Sequence, residues 1–197
     1  VKKYSRNFPV IDKADYTHKA DPRGCNDVSW MVNHASILAC CGESNSINVI
    51  DTRAQKGVLS STKDTKHHSG GINSSQFNYH NDMLLCSGDS TGRVNLWDIR
   101  DLDTPLKSLD HGSSISKIQW NPNLSTILAT ADQSDGLVKL WDIAQEPGEE
   151  LLFVHGGHML GVNDISWNYH DPWLMCSVAN DNSVQLWRPA RNLVESR

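Results

Sequence analysis

Two unrelated short motifs recur four times in fixed register, and this repetition constrains the fold more than anything else in the sequence. The first motif reads Gly24-Cys-Asn-Asp-Val-Ser-Trp30, Gly71-Ile-Asn-Ser-Ser-Gln-Phe77, Ser114-Ile-Ser-Lys-Ile-Gln-Trp120 and Gly161-Val-Asn-Asp-Ile-Ser-Trp167. Its closing aromatics are 47, 43 and 47 residues apart. The second follows about 20 residues later in each copy: Ile47-Asn-Val-Ile-Asp51, Val94-Asn-Leu-Trp-Asp98, Val138-Lys-Leu-Trp-Asp142 and Val184-Gln-Leu-Trp-Arg188. A period of that size is the signature of a stacked or radially repeated architecture, in which no single unit buries its apolar face alone.

Within each unit apolar and polar residues alternate with a period of two, which predicts strands with one packed face. Between the two motifs lies a denser apolar run: Ile37–Cys41, Met83–Ser87, Ile127–Ala131 or Trp173–Ser177. Such runs predict strands buried on both faces. Asn121-Pro122 and Asp171-Pro172 mark turns before the run, and Ser90-Thr91-Gly92, Ser134-Asp135-Gly136 and Asn180-Asp181-Asn182 mark turns after it. One more short extended stretch closes each unit, for example Pro105–Leu109 or Glu150–Val154.

Four strands per unit, with a histidine ahead and Trp-Asp behind, resemble the WD-repeat superfamily over nearly the whole chain. The resemblance implies an all-β propeller, with four repeats present of a seven-bladed ring. The expected boundaries are 1–23 for the outer strand of a preceding blade (Phe8–Ile11) and a linker, then 24–66, 67–110, 111–157 and 158–197 for the four repeats. At 197 residues the chain reads as a C-terminal part of such a ring, a four-bladed closed ring being the alternative.

In that superfamily a His, a Ser or Thr, an Asp and a Trp form a hydrogen-bonded chain inside each blade. The expected sets are His158, Ser177, Asp181 and Trp187 in repeat four, and His111, Thr130, Asp135 and Trp141 in repeat three. Repeat two offers His68, Ser87 and Trp97 with Thr91 at the Asp position. Repeat one offers Asp21, Cys40, Ser44 and Ile50, so it is expected to rely on packing alone. A buried donor without a partner costs about 1–3 kcal/mol, so repeats one and two are expected to be the softer ones.

Nothing in the sequence assembles a catalytic set. His155-Gly-Gly-His158 supplies too few ligands for zinc, and His68, His111 and His158 hold equivalent repeat positions. No Gly-x-Ser-x-Gly elbow, Walker loop or CxxC pair is present. The reading is therefore a non-enzyme with no cofactor and no metal. Five cysteines, three of them within apolar small-residue runs, read as buried free thiols of a reducing compartment. A net charge of -5 argues against a free-standing nucleic-acid binder, and no apolar run approaches the roughly 18 residues of a membrane span.

Two surfaces are the candidates for binding. Asn26, Asn73, Ser116 and Asn163 hold the same position near the start of the innermost strands and could contact a peptide at the rim of a central channel, or cap turns. Glu146, Pro147, Glu149 and Glu150 form an acidic loop beside Phe153, able to present carboxylates and an apolar shelf to a basic helix.

Residues 151–187 resemble the last repeat of the histone-binding WD proteins, the retinoblastoma-binding chaperones. The fungal chromatin-assembly small subunits are the nearest group, with Asn95–Arg100 and Asp135–Asp142 in support. This resemblance implies a subunit of the nucleus, with the cytoplasm as a second location, that binds histones H3 and H4 within a larger chromatin assembly factor active at replication. The histone-binding subunit of a type B histone acetyltransferase and a generic WD scaffold are the alternatives. It also implies that a histone helix meets the acidic loop, here shorter than in animal members, and that a tail lies on the rim. Gly71, Ser114 and Ser116 stand where the animal proteins carry acidic and aromatic rim residues.

Overall fold

The computed structural model describes residues 2–3, 16–54, 58–62 and 65–194. Two short strands, β1 (Lys2–Lys3) and β2 (Tyr16–Thr17), pair antiparallel. Four antiparallel sheets then follow one another along the chain. The first holds β3 (Cys25–Trp30), β4 (Ile37–Gly42), β5 (Ile47–Asp51) and β6 (Val58–Ser61). The second holds β7 (Ile72–Phe77), β8 (Leu84–Asp89), β9 (Arg93–Asp98) and β10 (Lys107–Asp110). The third holds β11 (Ile115–Trp120), β12 (Ile127–Asp132), β13 (Val138–Asp142) and β14 (Leu151–His155). The fourth holds β15 (Val162–Trp167), β16 (Met175–Ala179) and β17 (Val184–Trp187), and a one-turn helix, Arg191–Val194, follows.

Each sheet is a meander whose strands pair in sequence order, the arrangement of a propeller blade. The stretch Phe8–Ile11, expected as an outer strand, lies outside the described residues.

Blades stack face to face. Ala39, Cys41, Ile47 and Val49 of the first blade pack on Ile72, Phe77, Leu85 and Trp97 of the second. Cys86, Val94 and Leu96 of the second pack on Ile118 and Trp120 of the third, and Ala129, Ala131 and Leu140 of the third on Ile165 and Trp167 of the fourth. The dense runs are the strands sandwiched between neighbours: every residue of β12 is buried, as are all but the first of β4 and β8. In β16 burial alternates, because one face of the fourth blade has no neighbour among the described residues. Gly88 marks how closely the second and third blades approach, since a Cβ there would stand 2.5 Å from Ile118 Cδ1.

Every innermost strand carries a β-bulge at its second residue: the register shifts between Cys25 and Asp27, Ile72 and Ser74, Ile115 and Lys117, and Val162 and Asp164. A bulge frees one side chain from the pleat and re-aims it. The four residues so released are Asn26, Asn73, Ser116 and Asn163.

Candidate interaction surfaces

The internal hydrogen-bonded chains fix the loops from which any surface is built. In the fourth blade Trp187 Nε1 donates to Ser177 Oγ at 3.0 Å, and His158 lies 2.7 Å from that hydroxyl and 3.3 Å from Asp181. Asp181 also accepts from the Ser183 hydroxyl and the Met159 N–H, and these bonds hold its carboxyl below the usual carboxylate range.

In the third blade His111, Thr130 and Trp141 are joined at 2.7 and 2.8 Å, but the carboxylate is Asp132, 3.3 Å from His111, and not Asp135. Asp135 is exposed and only donates its N–H to Asp132. Burial lowers the pKa of His111, as does the nearby Lys139 ammonium, so the ring is held neutral.

The second blade also has a complete chain, which corrects the assignment of Thr91. Trp97 Nε1 donates to Ser87 Oγ at 2.8 Å, His68 lies 2.7 Å from Ser87, and its other ring nitrogen is 2.9 Å from Asp89. Thr91 donates its hydroxyl to the same carboxylate. Burial pushes the Asp89 carboxyl up, but the bonds from His68 and Thr91 outweigh it and leave the group at about 2. The first blade does not rely on packing alone either: Asp21 accepts from the Ser44 hydroxyl at 2.7 Å and from the Gly24 and Ser44 N–H groups. Cys40 and Ile50 are its buried apolar members, and burial drives the Cys40 thiol up to about 12.

The signal for the missed carboxylates was present in the sequence. Ser87-Gly-Asp89 and Thr130-Ala-Asp132 each place the acid two residues past the hydroxyl, on the same face of the strand. Thr91 and Asp135, in the tight turns that follow, donate to these acids without entering the His–Ser/Thr–Trp chain themselves.

Of the bulged residues, Asn26 and Asn73 reach the neighbouring blade. Asn26 donates to Ile72 O at 3.1 Å and to Glu43 at 2.8 Å, and Asn73 donates to Ile115 O at 2.8 Å. The amide N–H groups of both thus tie blade to blade. The Ser116 hydroxyl is buried and finds no partner, because its side chain is too short to make the same reach. Asn163 is exposed and donates to Asn180.

The acidic loop is narrower than its composition suggests. Glu150 is 8% exposed and paired at 3.1 Å with Lys107 of the second blade, so it is a structural anchor and not a free carboxylate. Lys107 Nζ also donates to Ile143 O and Gln145 O, and Glu150 accepts from Gly148 N–H. Gly148 sits at φ +94°, which only glycine adopts without strain. Glu146, Pro147 and Glu149 remain exposed.

Phe153 is only partly exposed, its ring packing against Trp187 at 5.8 Å beside the core shared by the third and fourth blades. The apolar surface beside the loop comes instead from Leu106, 64% exposed, and Leu151, 45% exposed. Together with Trp141 and Pro147 they line a groove of about 500 Å³. The sequence offered no direct sign of Lys107, whose partner lies 43 residues away on another blade.

His155 stacks on Trp187 at 4.3 Å and bonds Gln185, while His158 belongs to the blade chain, so both imidazoles have structural partners.

Comparison with known proteins places this geometry in a family. Residues 12–189 match the β-propeller family described as nucleolar protein 10-like, N-terminal domain. The histone-binding protein MSI1 of Saccharomyces cerevisiae is 53% identical over 195 residues, which is 98% of this chain and 45% of the yeast protein. The chain thus spans under half the length of that relative. With four meander sheets, the His–Ser/Thr–Trp chains within them and these two matches, the chain belongs to the WD-repeat β-propeller family that includes yeast MSI1.

Proposed function

We propose that the protein binds histones H3 and H4 as a non-catalytic subunit of a nuclear chromatin assembly complex, handing them to newly replicated DNA. The observation that carries this reading is the 53% identity, spread over 98% of the chain, to a protein named for histone binding.

The acidic loop suits that role physically. Glu146 and Glu149 stand in solvent on a turn held rigid by Glu150, Gly148 and Lys107, beside the apolar Leu106 and Leu151. Fixed carboxylates next to an apolar groove would attract a basic amphipathic segment and fix its register, and DNA phosphates would compete for the same cations. The bound histone surface is thereby shielded until DNA replaces the protein.

The test is purification of the tagged complete protein from its own cells, with identification of co-eluting chains. Histones H3 and H4 together with larger chromatin assembly subunits are expected. Recovery without histones would refute histone binding, and recovery with an acetyltransferase in place of assembly subunits would refute the assembly assignment.

A further inference from the structure

Neighbouring innermost strands are tied to one another at both of their ends. At the far end, where the strands finish, the seams between the four described blades are alike. Ser29, Gln76 and Gln119 accept from the N–H groups of Phe77, Trp120 and Trp167 at 2.6–3.1 Å. Loops beyond the strands reinforce the third–fourth seam there, Asn121 donating to Pro172 O at 2.6 Å and Asn123 to Tyr169 O at 3.2 Å.

At the rim end, where the strands begin, the seams differ. Between the first and second blades Asn26 reaches Ile72 O, and Asp27 accepts from Ser74 Oγ at 2.8 Å and Ser75 N at 3.1 Å. Between the second and third, Asn73 reaches Ile115 O, and Ser74 Oγ accepts from Ile118 N at 3.2 Å. The third blade has Ser116 and Lys117 at these two places. The Ser116 hydroxyl is buried without a partner, and an ammonium has no lone pair with which to accept. The Ile165 N–H turns back to its own Asp164 at 2.9 Å. Lys117 reaches the other way, to 3.3 Å from Asp27, and so clasps the third blade to the first across the second. At the rim the fourth blade is held by apolar packing of Val162 and Ile165 with Ala131 and Val138, which has no preferred direction.

We infer that the third–fourth seam is a hinge. The first three blades form one clasped unit, and the fourth swings on the far-end bonds of Gln119, Asn121 and Asn123, so that the seam opens at the rim. The closed seam buries the Ser116 hydroxyl unpaired, which costs stability, and opening hydrates it. Opening breaks none of the bonds that close the other two seams at their rims. The acidic loop, anchored to the second blade through Lys107 and Glu150, stays with the clasped unit. A partner that grips both the clasped unit and the fourth blade at the rim therefore selects the closed form, and one that touches a single side leaves the hinge free.

The experiment is thiol alkylation of the complete protein, read by mass spectrometry of the fragment around each cysteine, in Ser116→Cys, Ser75→Cys and Ser116→Cys/Lys117→Ser. Ser75 is 2% exposed in the first–second seam, where Asp27 holds its N–H. A thiol at position 116 should react on the order of tenfold faster than one at position 75. Lys117→Ser supplies the acceptor that Ser74 provides in the second blade, and it should slow the reaction at position 116 severalfold. The native Cys86, fully buried in the second blade, reports global unfolding in each variant. Equal rates at positions 116 and 75, or a rate at 116 no faster than at Cys86, would overturn the inference. So would a rate at position 116 that Lys117→Ser leaves unchanged or raises.

Discussion

His68 and Asp89 are joined by a 2.9 Å hydrogen bond across 21 residues, with both side chains at most 2% exposed. The same carboxylate accepts from the N–H groups of Ser69, Thr91 and Arg93 and from the Thr91 hydroxyl. It therefore holds the loop entering the blade to the turn between the blade's second and third strands. Replacing Asp89 with Ala is expected to cost about 3 kcal/mol, because it leaves the buried His68 ring and three partly buried loop N–H groups unpaired. Thr91→Ala is expected to cost under about 1 kcal/mol. Urea denaturation of the complete protein checks the pair, and equal losses would contradict this assignment.

Asp132 and Asp135 offer the parallel comparison in the third blade. Asp132 accepts from His111 and from the N–H groups of Ser134, Asp135, Gly136 and Leu137, while Asp135 is exposed. Asp132→Ala should destabilise by about 3 kcal/mol and Asp135→Ala by no more than about 0.5 kcal/mol. A reversed order of melting temperatures would restore Asp135 to the chain.

Acid should loosen the protein in two stages with different causes. His111 sits below its ordinary value of 6.5 because of burial and Lys139, the opposing influence of Asp132 and Asp110 being weaker. A histidine with a depressed folded-state pKa contributes stability that is full above 6.5 and declines as pH falls below it. Asp89, at about 2 against 3.8, contributes about 2 kcal/mol that is present above 3.8 and lost as pH falls toward 2. Denaturation midpoints at pH 7.5 and 5.5 should fall for the parent and fall less for His111→Gln. An identical fall in both would remove His111 as the cause.

Lys107 is expected to set the shape of the acidic loop. It bridges Ile143 O, Gln145 O and Glu150, a geometry that the charge alone does not secure. Lys107→Gln should raise the proteolysis rate at residues 144–149 severalfold, and Lys107→Arg should raise it less. No change in either variant would show that the loop is held by its own turn.

Much of the fold was legible because the blade is written twice in each repeat. Strand alternation and the dense runs fixed β4, β8, β12 and β16 as central strands, and the His, Ser/Thr and Trp positions followed from spacing. The acids did not, because an Asp at a strand end and an Asp in the adjoining turn are indistinguishable until the turn closes. The partners of Asn26 and Glu150 were hidden for a different reason. Asn26 reaches a carbonyl 46 residues away and Glu150 a lysine 43 residues back, so their partners depend on blade stacking, which no local pattern encodes.

If histones bind through the exposed carboxylates of the acidic loop, removing two of them must weaken binding. Isothermal titration of purified H3/H4 into the complete protein compares the parent with Glu146→Ala/Glu149→Ala at several salt concentrations. The parent should bind, and the double variant should bind on the order of tenfold more weakly, with loss of part of the salt dependence. Equal affinity of the two proteins, or no binding by the parent, would contradict the claim.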